Sequence, residues 1–381
     1  MGPLSMKTLT NLAKLVTKGR PPVGTTPADV VHRENKWTLL RYQRPAHVAA
    51  RGAPVLLVPS LINRHYVLDL LPGRSFAEWM VAAGHDVFIV DWGKPGPEDR
   101  LLDFDTIVDR YVGRALRRTT EVAQAERAHL LGYCLGGTLA TIHAALHPER
   151  VASLVAMAAP IRFHDEGLLS RWTRSRGFDV RAIADAFGNI PWPLMQLSFE
   201  LLKPTLALSK GVQLLDRAWD DQFLDAFHAV ETWGHDNISF PGAAYVRYIE
   251  ALYQDDALVR GALSVSGRRV ALADVTCPTL AVTFEHDHIV PHASAAVLLE
   301  HVGADVKRQL HLVGGHVGAV VSQKASKTLW PELSAWWRAH DAAPAYVPAP
   351  PAAATRPHAP PRAPAARAPH APHAPHAPHA R

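Results

Sequence analysis

His129-Leu-Leu-Gly-Tyr-Cys-Leu-Gly-Gly-Thr138 reads as a short apolar strand, a Gly-x-Cys-x-Gly turn over 132–136, and a helix running through Thr138–Ala145. Small residues on both sides of Cys134 permit a sharp strand-to-helix bend that exposes a strained nucleophile. The helix sets its N-terminus at that sulfur, which favours a thiolate and offers backbone N–H groups to an oxyanion. The amide of Leu135 is the expected first donor. A bend of this kind needs a base, and the base needs an orienting acid, in the chain order nucleophile, acid, histidine. Downstream, the apolar run Thr279–Phe284 leads into Glu285-His-Asp-His-Ile-Val-Pro291, and the run Val306–Leu312 leads into Gly314-Gly-His-Val-Gly318. Asp287 and His316 thus each follow the carboxyl end of an expected strand, which brings both toward Cys134. His316 is the expected base and Asp287 its orienter, with Glu285 left as an alternative acid. A second oxyanion donor is expected from Pro59-Ser60-Leu61-Ile62-Asn63, where Leu61 is the candidate. Cys277, in a Thr-Cys-Pro strand entry with no histidine pattern, is expected to be structural.

Working outward, Val55–Val58, Asp86–Asp91, His129–Tyr133 and Val151–Met157 form further apolar runs, and Phe104 to about Glu126 carries helical spacing. Strands alternating with helices predict a mostly parallel sheet covered on both faces. With the elbow, this is an α/β-hydrolase fold. From 161 to 277 the alternation stops and aromatics accumulate, Trp172, Trp192, Trp219 and Trp233 among them. That insertion is expected to be a mainly helical cap over the carboxyl ends of the strands. Three segments result: 1–25, an amphipathic stretch whose only charges are basic; 26–341, the catalytic domain; and 342–381, an Ala/Pro/His-rich tail expected to be disordered.

The composition excludes several classes. Of the net charge of +5, the tail's four arginines carry +4, so the body lacks the basic stripe of a nucleic-acid binder. Two cysteines in 381 residues rule out a disulfide scaffold. No apolar run is long enough for a membrane span, and the N-terminus has no apolar core with a cleavage site, so a cytoplasmic chain is expected. No metal constellation or cofactor loop is apparent.

Gly-Tyr-Cys-Leu-Gly-Gly-Thr at 132–138, Asp-His-Ile-Val-Pro at 287–291 and Gly-His-Val-Gly at 315–318 closely resemble the polyhydroxyalkanoate synthases. Similar phrasing covers 26–32, Glu34-Asn-Lys36, 70–75, Gly84-His-Asp-Val87, Asp91-Trp-Gly93, and Trp233 with Asp236. The likeness spans roughly 25–340 and is greatest to the short form that works with a second, smaller subunit, the longer form having a further N-terminal domain. The Ala/Pro/His tail is not part of the pattern.

The resemblance implies that Cys134 is acylated by a (3R)-hydroxyacyl-CoA, with His316 as base and Asp287 as third member. It also implies Trp233 and Asp236 as substrate-binding residues, coenzyme A entering only as part of the substrate, and a polyester product collected in cytoplasmic granules. A homodimer and a second synthase subunit are the expected partners. The fold and triad alone equally suit a cysteine hydrolase of thioesters or esters. A granule-surface protein with a relic triad is disfavoured because all three members are present.

Overall fold

The computed structural model describes residues 6–17 and 19–341; the tail expected to be disordered lies outside the described residues. The body is built on an eight-stranded sheet. Its strands are β1 (Ala28–Glu34), β2 (Trp37–Tyr42), β3 (Val55–Val58), β4 (Val87–Asp91), β5 (Ala128–Tyr133) and β6 (Val151–Met157). A short hairpin, β7 (Ser264–Val265) with β8 (Arg268–Arg269), then precedes the last two sheet strands, β9 (Thr279–Phe284) and β10 (Lys307–Leu312). The sheet order is β1-β2-β4-β3-β5-β6-β9-β10. From β4 to β10 all neighbours are parallel, while β1 and β2 form an antiparallel edge.

Residues along the central strands alternate between two apolar layers. Leu56, Val58, Phe88, Val90, Leu130, Leu154 and Ala156 face one, packed with Val112, Leu116, Leu139 and Ile142 from helices Val112–Ala123 and Leu135–Leu146. Val55, Leu57, Ile89, Leu131, Val155, Val282 and Phe284 face the other, packed with Phe76, Met80, Trp330 and Trp337 from helices Phe76–Ala82 and Leu329–His340. Both faces are buried, which is why these strands read as continuous apolar runs.

Two features were not in the sequence reading. β1 and β2 were not expected, because charged Asp29, Arg33, Glu34 and Arg41 interrupt a half-exposed pattern at the sheet edge. The long helix expected from Phe104 is divided into a π-helical turn, Thr106–Tyr111, and the α-helix Val112–Ala123.

Between β6 and β9 lies the cap, mainly helical: Leu168–Thr173, Val180–Phe187, Trp192–Leu202, Leu206–Arg217, Asp221–His235 and Gly242–Tyr248. It is tied to the loop after β3. Ile238 N–H donates to the Ile62 carbonyl at 3.1 Å, and Trp233 Nε1 donates to the Arg64 carbonyl at 2.9 Å. Phe163, Phe240, Tyr248 and Tyr253 form a buried aromatic cluster, whereas Phe187, Trp192 and Trp219 are exposed. The N-terminal helix Met6–Thr17 docks on the cap, its Asn11 Nδ2 donating to the Ala218 carbonyl at 2.9 Å and to Asp221 at 2.8 Å.

Candidate active site

β5 ends at Tyr133 and the helix begins at Leu135, so Cys134 must turn the chain alone. It does so at φ +56° and ψ −131°, a conformation strained for a residue with a Cβ and maintained by its surroundings. Two glycines make the bend possible. A side chain on Gly132 would strike the backbone of Gly136 and Gly137, and one on Gly136 would strike the carbonyls of Val58 and Pro59. The second approach sets the loop after β3 against the first turn of the helix. Trp92 Nε1 fixes that loop by donating to the Pro59 carbonyl at 3.0 Å. Leu61 lies in this loop and Leu135 opens the helix, and both side chains are buried.

Asp287 stands past the end of β9. Its Oδ1 accepts from the N–H groups of Ile289 at 2.9 Å and Val290 at 2.8 Å, and Oδ2 lies 2.7 Å from His316 Nδ1. Glu285 is exposed. Asp287 is therefore the carboxylate that pairs with His316. The imidazole, in the loop past β10, is 5% exposed. Tyr133 holds it from the other side, donating its hydroxyl to the His316 carbonyl at 3.0 Å and stacking its ring at 5.3 Å. With Nδ1 on Asp287, Nε2 is left for the side chain of Cys134, with which the ring also hydrogen-bonds. Burial alone would lower the His316 pKa. The adjacent Cys134 and Asp287 outweigh it and lift the ring to about 10, so the cationic imidazole is favoured at neutral pH.

A family model for the alpha/beta hydrolase fold matches residues 53–318, and one for the poly-beta-hydroxybutyrate polymerase (PhaC) N-terminus matches residues 7–80. The chain is 34% identical over 316 residues to the poly(3-hydroxyalkanoate) polymerase subunit PhaC of Allochromatium vinosum, covering 82% of this chain and 88% of that one. The chain belongs to the poly(3-hydroxyalkanoate) polymerase family. The polymerase subunit of Haloferax mediterranei is also 34% identical over 83% of this chain, which spans 64% of that relative's length. A solved monoglyceride lipase from Saccharomyces cerevisiae shares the fold, with a TM-score of 0.54 at 13% identity over 84% of this chain and 96% of that one.

Two cap residues singled out in this polymerase-family chain have evident contacts. Trp233 braces the cap on Arg64, as above. Asp236 accepts from Tyr66 Oη at 2.8 Å, from Arg20 at 3.0 Å and from Lys94 at 3.1 Å, joining the N-terminal segment, the body and the cap. Burial alone would raise the Asp236 pKa, but Tyr66 and Lys94 hold the carboxyl below its usual range. The polar atoms of both residues are thus engaged in cap-to-body contacts.

Sequence reasoning passed over Tyr133, Tyr248 and Tyr253. The latter two hydrogen-bond to each other and lie within electrostatic reach of Cys134; burial raises both hydroxyls well above the tyrosine norm. Only their aromatic clustering signalled them. Cys277 is buried, and burial pushes its thiol up to about 12, which leaves it inert. Among the described residues no helix is long and apolar enough to cross a membrane.

Proposed function

We propose that this chain is an acyltransferase that polymerises (3R)-hydroxyacyl groups from coenzyme A thioesters through an acyl-cysteine on Cys134. The observation that carries this reading is a cysteine, in place of serine, at a strained elbow, hydrogen-bonded to an imidazole that Asp287 holds by its Nδ1 atom.

With the thiol proton held on His316, the Cys134 sulfur attacks the thioester carbonyl. The oxyanion is met by the Leu135 amide at the helix N-terminus and by an amide of the loop bearing Leu61. As the tetrahedral intermediate collapses, His316 returns the proton to the departing coenzyme A thiolate. A raised imidazole pKa suits this exchange, because the ring is already cationic when the leaving group needs a proton. Replacing one thioester by another is near thermoneutral, so the acyl group on Cys134 stays activated. His316 then takes the proton from the 3-hydroxyl of a second acyl unit, whose oxygen attacks the carbonyl. The oxygen ester forms, the carbon–sulfur bond breaks, and Cys134 is restored. Asp287 keeps the ring oriented through both halves.

A cap tied down by Trp233 and Asp236 over the strand ends limits water, which would otherwise release a free hydroxy acid. Under this reading those two residues bear on substrate binding by placing the cap. The product is a polyester that gathers in cytoplasmic granules, and the working form is a homodimer, assisted by a smaller second subunit. Coenzyme A arrives and leaves with the substrate, and no further cofactor is needed.

The test is to supply purified protein with 3-hydroxybutyryl-CoA, with and without its co-expressed neighbour-gene product. Coenzyme A release with insoluble polyester supports the reading. Release with soluble 3-hydroxybutyrate instead makes the chain a cysteine thioesterase.

A further inference from the structure

The helix that begins at the nucleophile ends near three side chains that the proposed reaction does not use. His143 and His147 stand four residues apart, their rings stacked at 4.7 Å, and Asp109 reaches them from the π-helical turn Thr106–Tyr111. One ligand atom from each of Asp109, His143 and His147 lies within 4.8 Å of the others. His143 is 1% exposed; its Nδ1 lies 3.1 Å from the Val108 carbonyl, and its Nε2 is buried with no hydrogen-bond partner in the protein. Donation from Nδ1–H leaves the Nε2 lone pair free, the arrangement in which backbone carbonyls orient metal-binding histidines. A Cβ at position 113 would lie 2.8 Å from His143 Cε1, so Gly113 is what leaves room for the ring. π-Helical turns are frequent at functional positions, and this one supplies the acid.

We propose that Asp109, His143 and His147 form a zinc site that clamps the C-terminal end of the nucleophile's helix to the π-helical turn Thr106–Tyr111. Two imidazoles and a carboxylate suit zinc, with water as the fourth ligand. The helix carbonyl end favours a cation. Bonds of about 2.0–2.1 Å need ligand atoms roughly 3.4 Å apart, so binding draws the three groups together and replaces the 2.7 Å contact between His147 Nε2 and Asp109. Arg268 opposes the ion: its guanidinium is 3.5 Å from His147 Nε2 while donating to the Leu146 carbonyl. The two histidines lie roughly 14 and 20 Å from Cys134 along the helix, so the site's role is structural.

The experiment titrates the full-length chain with zinc alone, reading bound metal per chain and melting temperature, in parallel with Asp109→Asn and His143→Gln. The unaltered chain should bind one zinc more than either variant and should alone gain several degrees. Tail histidines, present in all three proteins, cancel in the comparison. Arg268→Gln should tighten the added site about ten-fold by removing a nearby positive charge. Equal zinc content and equal melting shifts across the three proteins would overturn the site. An unchanged affinity in Arg268→Gln would place the ion elsewhere and overturn it too.

Discussion

The sheet carries a histidine between a carboxylate and a nucleophile-type side chain at both of its ends, and the two behave oppositely. At the carboxyl ends, His316 joins Asp287 to Cys134. At the amino ends, His129 joins Asp341 at 3.0 Å to Ser153 at 2.8 Å, with Trp336 Nε1 donating to Ser153 Oγ at 3.2 Å. By residue type both are triads. Yet Ser153 lies within β6, wholly buried, its hydroxyl already engaged on both sides. Cys134 is half-buried at a positive φ, with a helix N-terminus behind it. The proton affinities divide in the same way. Burial dominates at His129 and lowers its pKa, whereas Cys134 and Asp287 overcome burial at His316 and raise it. Chemistry thus depends less on which residues meet than on whether the nucleophile is strained, reachable and faced by donors.

The largest expected effect tests this contrast directly. Cys134→Ala should reduce coenzyme A release on the order of 10⁴-fold, as loss of a nucleophile does. Ser153→Ala should leave kcat within about two-fold. A comparable loss in Ser153→Ala would mean that the amino-end relay takes part in catalysis, and the distinction between the two ends would fail.

Next in size is Asp287→Asn, which preserves shape but removes the anion that orients His316; kcat should fall about 10²- to 10⁴-fold. Alkylation of position 134 followed against pH gives an independent readout. If His316 is held cationic by its neighbours, the alkylation rate should persist into mildly acidic solution in the unaltered chain and decline at higher pH in Asp287→Asn. Coincident profiles would show that Asp287 does not act through the ring.

The amino-end relay should answer to stability instead. Burial would raise the Asp341 pKa, but its contacts with His129 and the Ala53 N–H hold it below the carboxylate norm. Stability from a depressed carboxylate is present above the unfolded value of 3.8 and is lost as pH falls through the folded value. Nearby His85, held down to about 4 mainly by burial, adds a loss between its unfolded value of 6.5 and 4, because the unfolded chain binds that proton first. This contribution has a slope of about 1.4 kcal/mol per pH unit. Asp341→Ala should cost about 1–3 kcal/mol in denaturant titrations at neutral pH and leave turnover intact. Unchanged stability would remove the structural role assigned to this end.

The same contrast explains what could be read from the chain. β3, β4, β5, β6 and β9 are buried on both faces and so appear as apolar runs. The Cys134 bend is local, written in glycines two residues away on either side. Asp287 could be found because it follows such a run; His316 follows β10, which is largely exposed, and was marked instead by its Gly-Gly-His-Val-Gly loop. β1 and β2 could not, since an edge strand tolerates charge. The His129–Asp341 contact joins residues 212 positions apart, with no periodicity to announce it. Its members look like ordinary polar residues until the last helix is packed against the sheet. Asp236, noticed only through resemblance, acquires its partners Arg20 and Lys94 in the same non-local way.

That cap contact gives the smallest expected effect, and it separates exposed from buried polar networks within one molecule. The Arg20 side chain is 62% exposed, so solvent screens its 3.0 Å pairing with Asp236. Tyr66 and Lys94 would still hold the carboxylate after its removal. Arg20→Ala should therefore cost about 0.5 kcal/mol at low salt and close to nothing at high salt. A loss as large as that of Asp341→Ala, and insensitive to salt, would show that the N-terminal segment stabilises the cap through packing. The docking of Asn11 against Ala218 and Asp221 would then outweigh the ion pair in holding the cap over the strand ends.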